Sequence, residues 1–491
     1  VRPGETARPV GPWTPGMPAT PERSGATAAL LSFIFPGLGQ AYLRQKRLAL
    51  VFALPVLVVV GLALLQLRDG ISRLALKLLD PAVALVAFFV VVGLGLWRAG
   101  SVLHAWRAAR RTRLSLFLIP ALVLVIAVTH GYAGFFALQI RDAGNNIFSG
   151  DPLAETGDTG LGGATGSPGS SLTPSPSQDA PPDVSYSPDP AESVEPEPTD
   201  PEPVIAPGPT PEVDIAQVDG LDDGLLNVLI AGIDWKPGRT HRLTDTMIVV
   251  SVATETGAVR MFSFPRDVAN FPLYDGGTFI GRLNTFASYA QRHPERYPEG
   301  GMRALSLQLG YLLGIPIDYY ASANIPGFES VVQAVGGVTV YNEKAINDTH
   351  LDFSLPVGEH RLDAKDAVRW ARSRHGPGNN DFARARRQQQ LLAALRKEML
   401  QPARIADLPN VIEAVSKVLN TDFPPGQIDQ LLRLAESVEE DPSGSWVFRY
   451  PEWAVHPHRS ETGGRSIMIL RIEKIADLSR ELFGEQSLYS R

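Results

Sequence analysis

Hydrophobic positions follow three different patterns along the chain. In the first, the runs Leu48 to Leu67, Ala82 to Trp97 and Leu114 to Ile140 are almost continuously apolar, the last with Pro120 inside it. A helix needs about 20 apolar residues to cross a hydrocarbon core. The first and third runs meet this outright, and the second does with an extension to Leu103. Arginines occur only at the ends of these runs, which argues against buried helices of a soluble domain. Three spans are therefore predicted, at 48–67, 82–103 and 114–140. A further apolar stretch, 26–43, is broken by Pro36, Gly37 and Gly39. It reads as a re-entrant hairpin, which keeps the N-terminus inside, in preference to a fourth span, which would put it outside. The predicted membrane segment is thus 25–141, after a cytoplasmic disordered tail at 1–24. A cleavable signal peptide is not expected, because the first apolar run starts late and several more follow.

The second pattern is the absence of one. From Asp142 to Asp223 the chain is rich in Pro, Gly, Ser, Thr, Asp and Glu, with no Lys or Arg. Such composition buries too little apolar surface to offset its conformational entropy, so 142–223 is predicted to be a disordered, extended tether. A flexible chain of ~80 residues has a mean reach of about 50 Å.

The third pattern starts at Leu225. Leu225 to Ile233, Met247 to Thr254 and Ala258 to Phe264 are β-branched runs bounded by turn residues and read as strands. Helical periodicity follows at 303–313, 328–334, 364–371, 382–399, 405–419 and 428–437. Short strands are expected near Tyr319, Val338, Trp446 and Ile467. Interleaved strands and helices indicate a layered α/β domain over 224–491, with its core at 225–400.

Charge sharpens this division. The 491 residues carry a net charge of -7, but residues 1–141 are strongly basic, the tether is wholly acidic and the last domain is nearly neutral. Arg44, Lys46 and Arg47 precede the first span, and Arg98, Arg107, Arg110, Arg111 and Arg113 separate the second from the third. The positive-inside rule places both clusters in the cytoplasm and everything after Ile140 outside. The chain has no cysteine, which excludes disulfides, a thiol nucleophile and Cys-ligated metal sites.

Polar residues in the outer domain cluster. Asp234 ends the first strand and Asp245 precedes the second, with Gly238, Arg239 and Arg242 between them. Two carboxylates at strand edges suit a hard, oxygen-seeking cation, and are equally ordinary turn and cap residues. Arg266 and Asp267 follow the third strand, and Arg282-Leu283-Asn284 opens a helix. Arg372 and Arg374 lie two apart after a helix, so in extended backbone they point the same way. Asp381, Arg384 and Gln388 share a helix face. Converging guanidinium forks match phosphate oxygens. Arg386, Arg387, Arg396 and Lys397 read as a solvated helix face.

The series Asn227 to Asp234, Thr244-Asp245-Thr246-Met247, Ser263-Phe264-Pro265-Arg266-Asp267, Arg282-Leu283-Asn284, Gly336-Gly337-Val338, Ala371-Arg372-Ser373-Arg374 and Asp381-Phe382-Ala383-Arg384 with Arg387-Gln388-Gln389 resembles the LytR-CpsA-Psr family in order and spacing. The resemblance runs from about Leu225 to Leu400. It implies a three-layer α-β-α sandwich with a mixed central sheet, behind a multi-span membrane segment and a linker. It also implies a magnesium-dependent phosphotransferase that moves a glycopolymer (teichoic acid, arabinogalactan or capsule) from an undecaprenyl-diphosphate carrier to a peptidoglycan hydroxyl, outside the bilayer.

On that resemblance Asp234 and Asp245 correspond to magnesium ligands. Arg266, Arg372, Arg374, Arg384 and Gln388 correspond to residues that grip the diphosphate, assisted by Arg242 and Arg282. Asp267 and Asp381 correspond to supports for those arginines. The sequence departs from the family pattern at Arg282, where Lys is frequent, at Ala383, where Gly is frequent, and at Arg242, one place earlier than expected. The same pocket would serve a polyprenyl-diphosphate hydrolase. A membrane-bound transcription regulator fits poorly, since nucleic acid requires a basic cytoplasmic surface, so no nucleic-acid partner is expected.

Overall fold

The computed structural model describes residues 23–68, 74, 77–109, 113–148, 202–208, 214–215, 224–234, 242–376, 379–399, 401, 415–416, 419–438, 444–458, 460, 462 and 465–490. The predicted tail and most of the predicted tether lie outside them, as do Gly238, Arg239 and most of the helix expected at 405–419. The chain divides into two compact units, one over the membrane segment and one over the remainder.

In the first unit, α1 (Gly25–Ile34) and α2 (Leu38–Tyr42) form a hairpin, followed by α3 (Lys46–Leu67), α4 (Pro81–Arg107) and α5 (Arg113–Phe148). The hairpin turns at Gly37, which has φ +101; a Cβ there would lie 2.4 Å from the Ala49 carbonyl oxygen. Backbone and side chains at membrane depth must be satisfied internally. Buried Gln40 achieves this by donating from Nε2 to the Ser101 carbonyl at 2.9 Å and accepting from Ser32 Oγ at 3.1 Å. That network fastens the hairpin to α4. Three helices, α3, α4 and α5 from Leu116 onward, are long and apolar enough to cross a membrane. Helix α5 continues past the predicted end at Ile140, because extending an established helix costs little compared with starting one.

The second unit holds β1 (Val204–Ala206), β2 (Leu225–Asp234), β3 (Leu243–Ala253), β4 (Val259–Ser263), β5 (Ala269–Pro272), β6 (Thr278–Arg282), α6 (Leu283–Arg292) and α7 (Gly301–Leu313). Next come β7 (Tyr319–Asn324), α8 (Ile325–Ala334), β8 (Val338–Asn342), β9 (Ile346–Asp348), β10 (Phe353–Leu355), β11 (Gly358–Leu362), α9 (Ala364–Arg372) and α10 (Asp381–Met399). The chain ends with β12 (Leu419–Thr421), α11 (Ile428–Ser437), β13 (Ser445–Val447), β14 (Ala454–Val455), β15 (Ile469–Leu470) and α12 (Ile472–Phe483).

The central sheet has the order β12-β7-β2-β3-β4-β13. It is mixed: β7 runs parallel to β2, and β13 parallel to β4, while β2–β3, β3–β4 and β12–β7 are antiparallel. Alternate residues of β2, including Leu229, Ala231 and Ile233, enter one core with Phe262, Leu305, Leu309 and Ile475, from β4, α7 and α12. A second cluster joins Val332, Val338, Trp370 and Leu391 from α8, β8, α9 and α10. Helices therefore pack in two groups around a mixed sheet, as the α/β reading expects.

Two boundaries differ from expectation. The second unit begins upstream of Leu225: β1 pairs antiparallel with β6, and Ile215, 2% exposed, belongs to the main core. A three-residue strand among prolines is too short to show a period, so the sequence reads as tether there. Leu419, expected to end a helix, instead begins β12 against β7. Ile215→Ala is expected to destabilise the second unit by about 2–4 kcal/mol, measured by urea unfolding; no change would mean that the segment does not contribute to the core.

Candidate active site

Strands β2 and β3 pair regularly until Gly232 faces Thr246, after which Ile233 faces Thr244. Asp245 is the extra residue between them. Such a bulge turns a side chain out of the regular alternation, a device common beside functional sites. Gly232 permits it at close quarters, since a Cβ there would lie 2.8 Å from the Thr246 Cβ.

The bulge aims Asp245 into a cleft shared with Ser263, Arg266, Asp267, Phe382, Arg384 and Gln388. Arg266 Nη1 donates to Asp245 Oδ2 at 2.7 Å, and Asn284 Nδ2 to Asp245 Oδ1 at 2.9 Å. Burial alone would push the Asp245 carboxyl up; Arg266, the Asn284 bond and Arg384 together outweigh it and hold the group below the usual carboxylate range. Asp267 lies 3.9 Å from Arg266 Nε and 3.5 Å from Arg282 Nη1. Around these two carboxylates stand the guanidinium groups of Arg266, Arg282 and Arg384, a local excess of positive charge suited to an anion.

Helix α10 forms the other wall. Gln389 Nε2 donates to Ser263 Oγ at 2.9 Å and to the Trp446 carbonyl at 3.2 Å, fixing the helix to the sheet edge. Arg384 and Gln388, one turn apart, then share the cleft, and Gln388 Nε2 reaches the Ala371 carbonyl at 3.5 Å. Of the sequence-predicted residues, the structure unites Asp245, Arg266, Asp267, Arg384 and Gln388 in one cleft, with Arg282 attached through Asp267. Asp234 pairs with Leu243 at the same end of the β2–β3 hairpin. Arg242 does not line the cleft; its carbonyl accepts a hydrogen bond from Ser288 Oγ, which ties the hairpin to α6. Arg372 is the last residue of α9 and Arg374 lies on the turn after it, and the side chain of Asp381 is outside the described residues.

Two residues read as solvated are not. Arg387 is 8% exposed and bonded to the backbone after α9, and Arg396 donates to the Ala435 and Val438 carbonyls near the end of α11. A helix face looks solvated in sequence whenever its partners come from distant segments. The sequence reading also passed over Asp348, a buried carboxylate at the end of β9, and Asn284, which it quoted only within a motif. Ser373 Oγ and the N–H groups of Arg374 and His375 hold the Asp348 carboxyl below its usual range, against a burial effect that raises it. A depressed folded value stabilises the protein above the ordinary Asp pKa of about 3.9 and is lost as pH falls below it. Acid unfolding of wild type should therefore lose a component as pH falls below about 4 that Asp348→Asn lacks.

Gly376, with φ +103, completes the turn after α9; a Cβ there would lie 2.6 Å from the Asn347 carbonyl oxygen. Gly376→Ala is expected to cost about 1–3 kcal/mol in an unfolding titration. An unchanged midpoint would refute that strain.

The oxygen donors near the bulge fit a hard cation. Asp245 is ionised, Asp234 ends the adjacent strand, and Asn284 Oδ1 is buried without a hydrogen-bond partner among the described residues. Among the described residues no three His, Asp or Glu side chains gather as a ligand set.

Residues 201–445 match the model of the LytR_cpsA_psr family. The Regulatory protein MsrR of Staphylococcus aureus is 33% identical over 224 residues, 45% of this chain and 63% of MsrR. The Polyisoprenyl-teichoic acid--peptidoglycan teichoic acid transferase TagU of Halalkalibacterium halodurans is 31% identical over 209 residues, 42% of this chain and 63% of TagU. The match thus covers less than two thirds of either relative. Among solved structures, TagV of B. subtilis aligns with 53% of this chain and 98% of its own at a TM-score of 0.40 and 21% identity. TagT bound to LIIa-WTA aligns with 54% and 93% at a TM-score of 0.41 and 19% identity. With the ordered motifs and the family match over residues 201–445, the chain belongs to the LytR-CpsA-Psr family.

Proposed function

We propose that this protein is a membrane-anchored phosphotransferase that moves a glycopolymer from an undecaprenyl-diphosphate carrier to a hydroxyl of peptidoglycan, outside the bilayer. The observation that carries this reading is the cleft in which Arg266 and Arg384 converge on a bulged, ionised Asp245. A diphosphate brings negative charge that such arginines neutralise, and phosphoryl transfer depends chiefly on positioning and charge compensation. The activity of TagU, transfer of teichoic acid to peptidoglycan, supports the same class of reaction.

In this mechanism Arg266, Arg384 and Gln388 hold the diphosphate oxygens, with Arg372, Arg374, Arg242 and Arg282 as further proposed contacts. Asp267 and Asp381 orient the arginines. The acceptor hydroxyl oxygen bonds to the sugar-side phosphorus as the bond from that phosphorus to the bridging oxygen breaks, and undecaprenyl phosphate departs. The hydroxyl proton passes to Asp267, which lines the cleft beside Arg266. Asp234 and Asp245 would hold magnesium, which when bound polarises the diphosphate and stabilises the leaving phosphate. The glycopolymer belongs to the class of teichoic acids, arabinogalactan or capsule.

The test supplies purified protein with a labelled lipid-diphosphate glycan and peptidoglycan. Label fixed to the peptidoglycan supports transfer. Label released into solution identifies a hydrolase instead, and intact substrate refutes both. A C-terminal reporter active only in the cytoplasm would refute the outside placement.

A further inference from the structure

Arg372 and Arg374 sit where α9 ends, and a segment leaving a helix has no direction of its own. Here the turn is held from both sides by buried charges. Asp348 is fully buried. Its Oδ2 accepts from Ser373 Oγ at 2.7 Å, from the Arg374 N–H at 3.0 Å and from the His375 N–H at 3.1 Å. Its Oδ1 accepts from the His350 N–H at 3.1 Å, and the His350 and His375 rings pack at 4.0 Å. From the opposite side, Arg387 Nε donates to the Trp370 carbonyl at 2.8 Å, and its Nη2 to the Ser373 carbonyl and to Asn379 Oδ1. Asn379 Nδ2 closes the turn on Ser373 Oγ at 2.6 Å and on the His375 carbonyl at 2.8 Å.

Burying a carboxylate and a guanidinium is costly unless each is fully hydrogen-bonded. Most of their hydrogen bonds go to this one turn: Asp348 Oδ2 takes the Ser373 hydroxyl and the N–H groups of Arg374 and His375, and Arg387 takes the Trp370 and Ser373 carbonyls and Asn379 Oδ1. Neither side chain lines the cleft. The residues they immobilise are those flanking Ser373, and a binding arginine contributes fully only when its supporting shell fixes it to within a fraction of an ångström. A surface turn that merely linked α9 to α10 would need no buried charge on each side.

We propose that Asp348 and Arg387 form a two-sided clamp that aims Arg372 and Arg374 at phosphate, making them positioning residues for anion capture. The clamp rests on the phosphate-handling reading above. Asp348 acts on the backbone of residues 373–375 and Arg387 on the carbonyls of Trp370 and Ser373, so both act through Arg372 and Arg374 and never touch the ligand. Their effect must therefore disappear when those two arginines are absent.

Non-additivity provides the test. Full-length protein in detergent is titrated calorimetrically with inorganic pyrophosphate at fixed magnesium. Asp348→Asn is placed in the wild-type background, in Arg372→Ala/Arg374→Ala, and in Arg266→Ala. The expected result is about a tenfold loss of affinity in the wild-type and Arg266→Ala backgrounds, and less than about a twofold change where Arg372 and Arg374 are already gone. Equal loss in all three backgrounds would mean general loosening and overturn the clamp, as would no loss in wild type. If Asp348→Asn does not fold, Ser373→Ala, which deletes only the Oγ donor to Asp348, is read against the same outcomes with a smaller expected loss. Folded wild type that binds no pyrophosphate overturns the phosphate reading itself, and the clamp falls with it.

Discussion

Asp245→Asn is expected to lower transfer of a lipid-diphosphate glycan about a thousandfold while leaving the protein folded. The size follows from losing a preorganised charge at the point where charge develops in the reaction, where single groups are worth about 10²–10³-fold. The asparagine keeps the volume and a carbonyl oxygen for Arg266, which now donates to Asp245 at 2.7 Å. Asp245→Ala would in addition strand a buried guanidinium; breaking such a pair costs about 3–5 kcal/mol, so activity and stability would fall together. Comparing kcat/KM and thermal midpoint for the two variants separates chemistry from folding. Full magnesium-dependent transfer by Asp245→Asn would sink the assignment of this residue to the site.

Arg266→Lys should be the second largest effect, about a hundredfold in kcat/KM, despite keeping the charge. Arg266 serves two carboxylates at once, Asp245 at 2.7 Å and Asp267 at 3.9 Å. A guanidinium does this because its donors form a rigid fork, whereas an ammonium is a single point charge on a flexible stem. Lysine retains attraction for phosphate and loses the geometry, so kcat should fall further than KM rises. A variant with unchanged kcat and a higher KM would show that Arg266 only binds substrate equally in ground and transition states.

Much of the architecture was legible in sequence because burial leaves a period. Leu225 to Ile233 is an apolar run bounded by turn residues and forms β2, whose burial alternates residue by residue. The runs at 48–67, 82–103 and 114–140 correspond to helices α3, α4 and α5, because lipid demands apolar side chains over a fixed length. Periodicity failed where the element was short or its partner distant. Val204-Ile205-Ala206 lies within an acidic, proline-rich stretch and becomes strand only because the β6 edge is there to pair with it. Residues 26–43 show their glycines in sequence, but not that Gln40 would reach Ser101 on α4.

The site divides along the same line. Its residue types and order were readable, since aspartates at strand ends and arginines after helices keep their spacing whatever the fold does. Which of them meet was not. Asp245 enters the cleft because β3 carries one more residue than β2 at that point, a mismatch of pairing that no single strand records. Arg387 and Arg384 stand three apart on one helix with the same chemistry; α9 receives one and the cleft the other. Asp348 looked like any turn aspartate until Ser373, 25 residues later, folded onto it.

By itself, then, the sequence determined the apolar spans, the mixed order of strands and helices, and the supply of carboxylates and guanidinium groups. These depend on local pattern and composition. Tertiary structure alone decided that the second unit starts before Leu225, that a bulge points Asp245 at Arg266, and that buried Asp348 and Arg387 grip the end of α9 and the turn after it, where Arg372 and Arg374 sit. Each of these rests on a contact between segments far apart in the chain, whose energy exists only once both are in place.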